Sequence, residues 1–142
     1  MIYTSWSWPN MFDVSRNKIN LYSDTQSITN RVKLLLLTEP TELYMNPNYG
    51  VGLKKYIFKY NNDNVIAQIR DELIEQLRLW EPGVVPEETT VERGLSSSSH
   101  NLSDPELIRD KMSKLELTIT VTTSNLRKLS FGITEEDING LE

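Results

Sequence analysis

One segment restricts the fold more than any other. From Leu115 to Thr122 apolar residues hold the odd positions and polar residues the even ones, the period of two that a half-buried β-strand requires. After Ser124-Asn125 the alternation resumes at Arg127, Leu129, Phe131 and Ile133, which predicts a hairpin. Leu115, Leu117, Ile119 and Val121 then face a core, and Thr118, Thr120 and Thr122 form the opposite, polar face. A lone two-stranded ribbon cannot bury one apolar face, so other elements must cover it.

Two helices are legible upstream. Ser23 followed by Gln26 matches a capping box, and Ile28, Val32, Leu35 and Leu36 recur at helical spacing, predicting a helix over 24–37 that Pro40 stops. Asn62, Asp63 and Asn64 offer caps for a second helix, whose stripe is Ile66, Ile69, Leu73, Leu77 and Trp80. Pro82 closes it, and Glu75/Arg78 and Arg78/Glu81 stand at pairing distance on its polar face. Between the helices, Met45 to Leu53 is dense in turn formers and predicts a folded loop, with a short amphipathic patch at Leu53, Tyr56 and Ile57. The pairs Phe12/Val14 and Ile19/Leu21 read as two strand fragments around a polar turn. Residues 84–93 read as a polar strand that Pro86 confines to an edge or a strand start. Residues 94–114 read as a polar excursion. The fold class is α+β: two main helices packed on a small antiparallel sheet with a C-terminal β-hairpin. The expected organisation is an N-terminal arm over 1–11, one domain over 12–134 and an acidic tail over 135–142. Trp6 and Trp8 in the arm admit two readings, a mobile terminus or a pair of indole anchors for a partner.

Composition then removes whole classes of function. The chain has 142 residues, no cysteine and a single histidine, His100, so disulfides, thiolate chemistry and multi-histidine metal sites are excluded, and no cofactor is expected. Lys plus Arg number 15 against 20 for Asp plus Glu, a net charge of -5, without the positive field of a nucleic-acid binder. The longest aliphatic run is Leu34 to Leu37, far short of the ~20 apolar residues that span a bilayer. Neither nucleic acid nor membrane is an expected partner, no secretory leader is recognised, and assembly in the cytosol is expected.

Catalytic motifs are poorly supported. Ser96 to Ser99 beside His100 lacks the nucleophile elbow and a residue to orient the imidazole. Gly50-Val51-Gly52 lacks both the third glycine of a dinucleotide fingerprint and the lysine of a phosphate loop. Glu39/Glu42, Glu81 beside Trp80, and Glu87/Glu88 are available as acid pairs, but so many acids produce such pairs by chance. Features suited to association remain: the Thr118, Thr120, Thr122 face and any uncovered edge of the sheet, which could receive another chain's strand.

The series Ser27-Ile28, then Leu36-Leu37-Thr38-Glu39-Pro40-Thr41-Glu42, Pro47-Asn48-Tyr49-Gly50-Val51-Gly52-Leu53, Ile57-Phe58 and Trp80-Glu81-Pro82 resembles the baseplate wedge proteins of contractile phage tails. This is the sheath-initiator, gene-product-twenty-five-like family, which also carries a tail-lysozyme label. The resemblance covers roughly residues 12–134. In that family a Thr-x-x-Gly-Glu-Arg segment follows the first helix; here Thr41 replaces the glycine and Leu43 the arginine. The Glu-Pro-Arg motif after the long helix keeps Glu81 and Pro82 and has Gly83 in place of its arginine.

The resemblance implies a noncatalytic structural subunit, six copies per baseplate, assembled in a host bacterial cytoplasm into a virion or tail-like particle. Its implied partners are the wedge proteins, the tail sheath protein, and hub or tube-initiator proteins. Trp80, Glu81, Pro82 and Glu42 would meet the wedge, with Glu81 accepting hydrogen bonds from the partner. Thr118, Thr120, Thr122 and Arg127 would meet the sheath through strand addition, and Trp6 and Trp8 would anchor the arm. The alternative is a peptidoglycan glycan hydrolase using Glu81 with a second carboxylate such as Glu42, an arrangement that needs two open carboxyl groups across a sugar cleft.

Overall fold

The computed structural model describes residues 12–16, 18–21, 23–57, 59, 62–94 and 115–139. Strand β1 (Phe12–Asp13) pairs with β2 (Lys18–Ile19). Helix α1 (Asp24–Leu37), the short α2 (Lys54–Ile57) and the long α3 (Asp63–Trp80) follow. Strands β3 (Val84–Arg93), β4 (Leu117–Thr123) and β5 (Lys128–Ile133) form an antiparallel sheet in the order β3-β4-β5, and α4 (Glu135–Asn139) comes after it. This is the expected α+β arrangement. Trp6 and Trp8, and the polar stretch 95–114, lie outside the described residues.

Local chemistry sets the boundaries. The Ser23 hydroxyl accepts the Gln26 N–H while the Gln26 side chain accepts the Ser23 N–H, the reciprocal box that starts α1. Asn62 Oδ1 accepts the Val65 N–H at 2.9 Å and starts α3. The core is a single layer between helices and sheet: Val32, Leu35 and Leu36 from α1, Ile69, Leu73 and Leu77 from α3, and Leu117, Ile119, Val121 and Ile133 from the strands are all fully or nearly fully buried. Each such side chain contributes about 1.5–3 kcal/mol of transfer free energy. The predicted stripe of α3 shifts at both ends. Val65 is buried and Ile66 only partly so, while Trp80 is 38% exposed where the helix runs past the sheet.

Pro86 has the consequence its missing N–H dictates. The β3–β4 register breaks between Val85 and Thr90, so the proline sits in a bulge of an edge strand. The β4–β5 turn closes with Leu126 N–H to Thr123 O at 2.8 Å and Thr123 N–H to Arg127 O at 2.9 Å. Leu126 has φ 59, the left-handed bulge position of a three-residue hairpin loop.

The order β3-β4-β5 corrects one expectation. β4 is the central strand: Thr118 pairs with Glu92 and Gly132, Thr120 with Thr90 and Ser130, and Thr122 with Val85 and Lys128. The backbone of these threonines therefore has neighbours on both sides and cannot receive a further strand. Thr118 and Thr120 are half-buried, and Thr122 is buried rather than solvated. The acidic C-terminal stretch begins as ordered structure. Asp137 Oδ2 accepts the Thr134 N–H at 2.9 Å, Glu135 Oε1 accepts the Leu115 N–H at 2.8 Å, and Ile138 joins the core.

The buried Thr122 hydroxyl has no hydrogen-bond partner, and an unpaired buried hydroxyl is destabilising. Thr122→Val keeps the shape and removes the polar atom, so it should raise unfolding free energy by about 1 kcal/mol in urea titrations. A loss of stability would show that the hydroxyl is satisfied by a bound water.

Candidate functional site

Three features stand out: a loop and an ion pair near the C-terminal ends of α1 and α3, and the edge of the sheet. The first is the loop 38–53. Thr38 caps α1, donating its N–H and its hydroxyl to Leu34 O at 2.9 and 2.7 Å. The chain then loops out and returns so that Val51 N–H and Leu53 N–H reach Leu35 O and Leu36 O at 3.0 and 3.2 Å, pairing carbonyls that a helix end otherwise leaves open. Thr41 N–H to Pro47 O at 2.8 Å and Glu39 N–H to Glu42 Oε2 at 2.9 Å stitch the loop across itself. Gln76 of α3 fixes its base: Oε1 accepts the Gly50 N–H at 3.1 Å and Nε2 donates to Asn48 O at 3.0 Å. Gly50 sits at φ 104, and a Cβ there would lie 2.2 Å from Thr38 O, so the return path requires glycine. A loop pinned in this way holds Tyr44 and Met45 at its tip, 96% and 81% exposed. An open groove of about 490 Å³ runs between the loop and α3, lined by Pro40, Thr41, Pro47, Glu75, Gln76 and Leu79 among others.

The second feature is an ion pair. Arg31 of α1 reaches Glu81 at the end of α3 with two bonds, Nε to Oε2 at 2.7 Å and Nη2 to Oε1 at 3.0 Å, and donates Nη1 to Ser27 Oγ at 2.8 Å. Glu81 is 5% exposed. Its carboxylate is committed inside the chain rather than presented to a partner. Arg78 pairs with Glu87 of β3 at 3.0 Å, not with Glu75 or Glu81 as its spacing suggested. Tyr49 packs edge-on against Trp80 with ring centroids 5.5 Å apart. Burial pushes the Tyr49 phenol above its usual pKa, and the Glu81 carboxylate adds to the rise while Arg31 opposes it.

The third feature is the edge of the sheet. Among the described residues β5 pairs only with β4. The Thr123–Arg127 bond fixes which residues face inward, because hydrogen-bonded and non-bonded pairs alternate along an antiparallel ladder. Leu129, Phe131 and Ile133 bond to β4, so the backbone groups of Lys128, Ser130 and Gly132 point away from it. The close Thr120 and Ser130 hydroxyls, 2.5 Å apart, fit a non-bonded pair.

The expected site residues therefore separate. Trp80 and the exposed Pro82 lie at the end of α3, Glu42 closes its own turn, Glu81 is internal, and Arg127 flanks the open edge. Trp6 and Trp8 are outside the described residues. Arg31 was not singled out by sequence, since its partner is 50 positions away; the Ser27/Arg31 spacing, one helical turn, was its only local signal. Gly83, where the resemblance expects an arginine, is buried, and its carbonyl accepts both the N–H and the hydroxyl of Ser124 at 3.0 Å.

The described residues thus form a small α+β domain with a pinned apolar loop, a helix end and a strand edge, and no described group of acids or histidines could hold a metal. Residues 22–125 match the profile described as baseplate wedge protein gp25, and the chain belongs to that family. It is thus a structural component of a baseplate, with other baseplate proteins as partners. A Geobacter sulfurreducens protein provisionally named a tail lysozyme, known from a crystal structure, is similar with TM-score 0.54 and 21% identity, over 82% of this chain and 94% of that one. The anti-feeding prophage baseplate, a six-fold symmetrised cryo-electron-microscopy structure, contains a chain similar with TM-score 0.54 and 21% identity, over 76% and 94%. At such identity these two establish a shared fold. No curated protein matches the chain. No described helix is long and apolar enough to cross a membrane.

Two substitutions probe this site. Arg31→Ala leaves a buried carboxylate without its cation and should cost about 2–3 kcal/mol, more than Glu81→Gln, after which the half-exposed Arg31 can turn to water. Equal losses in denaturant titration would show that the pair is weaker than its geometry. Thr41 has φ 79, a region hostile to a β-branched residue. Thr41→Gly should therefore stabilise the protein by about 1 kcal/mol, where an ordinary loop glycine destabilises; a lower melting temperature would contradict the strain.

Proposed function

We propose that this chain is a noncatalytic wedge subunit that joins the wedge proteins of a contractile tail to the first sheath ring and templates sheath assembly by β-strand addition. The observation that carries the reading is the edge of β5, which among the described residues pairs only with β4 and where Lys128, Ser130 and Gly132 direct backbone donors and acceptors outward. The opposite edge is less suited, because Pro86 and the bulge interrupt β3. The sheath contact thus shifts from Thr118, Thr120 and Thr122 to β5, with Arg127 at its entrance.

Wedge docking falls to the helix end with Trp80 and Pro82 and to the Glu42-closed loop, which exposes Tyr44 and Met45. Consecutive exposed apolar residues on a pinned loop lose little entropy on binding. Glu81 acts through Arg31 by holding this helix end in place. In this reading the domain 12–134 does the assembly work, arm 1–11 with Trp6 and Trp8 anchors on a neighbour, and residues 135–142 form an acidic extension that starts with α4. The particle would hold six copies, with hub or tube-initiator proteins nearby, and would assemble in a bacterial cytoplasm. The hydrolase alternative is disfavoured because Glu81 has both oxygens on Arg31 and Glu42 has one on the Glu39 N–H, whereas that chemistry needs an accessible pair.

Ser130→Pro tests the proposal. It removes an N–H that points away from β4, so the sheet is retained, while a strand arriving at the edge loses a ladder bond. Baseplates carrying it should incorporate the subunit at wild-type levels and fail to start sheath. Normal sheath polymerisation from such baseplates would remove the main support for strand addition.

A further inference from the structure

Resting on the strand-addition reading, we infer that Gly132 sets the register of the added strand by receiving a large aromatic side chain of that strand across its bare backbone. Nothing in the described fold of the chain itself calls for glycine at this position. A glycine inside a strand weakens it, because it loses more backbone entropy on folding and packs no side chain. Left-handed φ values belong to Gly50 and Gly52 and not to Gly132. A Cβ at Gly50 would lie 2.2 Å from Thr38 O, whereas at Gly132 the nearest described atom, Leu117 O, would be 3.9 Å away, an ordinary contact. Alanine therefore fits at 132 without strain, and the space beside this glycine is open to another chain.

The position has a defined geometry. Gly132 is exposed, stands opposite Thr118, and shares the outer face of the sheet with Lys128 and Ser130. Its N–H and C=O point away from β4, so an antiparallel neighbour forms a hydrogen-bonded pair with it. The residue facing Gly132 then projects its side chain onto the same outer face. With no side chain on Gly132 between them, it can lean across the strand toward the half-buried Thr118. An aromatic ring suits this gap, being wide enough to shield the glycine backbone and reach the next strand, as aromatic neighbours do for edge glycines. One step along the same face the space is filled, since the Ser130 hydroxyl lies 2.5 Å from that of Thr120. A slip by two residues would keep the faces matched but put the ring on an occupied position, so Gly132 marks a single alignment.

The test uses the full chain and two labelled seven-residue peptides, with valine at the odd positions, threonine at the second and sixth, and either phenylalanine or alanine at the fourth. In fluorescence anisotropy titrations the phenylalanine peptide should bind about fivefold more tightly, the effect of one cross-strand aromatic contact. Gly132→Val fills the gap and should erase that preference. Ser130→Thr, which also adds a carbon to the outer face of β5, should keep it. Gly132→Ala should raise the melting temperature of the isolated chain by about 2 °C, as where a fold does not need its glycine. A lower melting temperature shows that the chain's own packing requires the glycine and overturns the inference. Equal binding of the two peptides, or a preference that survives Gly132→Val, overturns the aromatic assignment and leaves strand addition standing. Methylating alternate backbone nitrogens of the phenylalanine peptide should abolish its binding; undiminished binding shows apolar attachment without strand pairing and overturns the inference. Failure of both peptides to bind overturns strand addition itself and the inference with it.

Discussion

The Arg31–Glu81 pair is the contact through which the parts of this small domain are held in register. Glu81 is the residue where α3 stops and the turn into β3 begins, and Arg31 lies on the neighbouring helix. A two-point guanidinium–carboxylate contact fixes both distance and plane, so the helix end cannot rotate without breaking it. The Glu81 N–H to Leu77 O bond and the Val84 N–H to Glu81 O bond, at 2.9 and 3.3 Å, continue the constraint along the chain. Gly83 then carries it to the β4–β5 turn through Ser124. A buried ion pair is weak evidence for net stability, since desolvation offsets much of its attraction. Its value here is specificity: it sets where Trp80, Tyr49 and the first residue of β3 can sit.

Backbone irregularities lie where the surfaces are built. Thr41 and Leu126 are the non-glycine residues with positive φ among those described. Thr41 lies at the base of the loop that presents Tyr44 and Met45, and Leu126 makes the turn that aligns β5 against β4. Each trades local backbone strain for a fixed direction of the segment that follows. The glycines at 50 and 52, also left-handed, allow the loop to return onto the carbonyl end of α1, so the loop and the helix cap form one unit.

What was legible in the sequence follows from the range of each interaction. Capping at Ser23 and Asn62, the alternation at Leu117 to Val121 and the break at Pro86 are decided by residues within a few positions, and α1 and β3 have the predicted bounds. The position of β4 between two partners was not legible, because alternation specifies a half-buried strand and is silent on how many neighbours it has. That is why Thr118, Thr120 and Thr122 looked available for another chain. Arg31 with Glu81, Gln76 with the Gly50 loop and Arg78 with Glu87 join residues from 9 to 50 positions apart, and no local pattern encodes them. The family's ordered motif series carried further than any residue pair, because it conveys the topology as a whole.

The distribution of charge bears on how one small subunit could serve two different partners. The groove side carries Glu72 and Glu75, with Glu72 engaged by Lys55 and by the Tyr56 hydroxyl at 2.6 and 2.8 Å. The β5 edge has Arg127 and Lys128 at its start, Lys33 over Phe131, and the acidic first turn of α4 just after its end. Surfaces with different arrangements of charge discriminate between partners more by repelling the wrong one than by attracting the right one, since exposed charge pairs add little affinity and like-charge contacts are penalised. The core between them is thin, one sheet face against two helices, so neither surface can be moved far without disturbing the other. Helix α1 reaches both, with Arg31 at the Glu81 end and Lys33 over Phe131. On the assembly reading, that helix is the rigid element that keeps the distance between wedge and sheath constant.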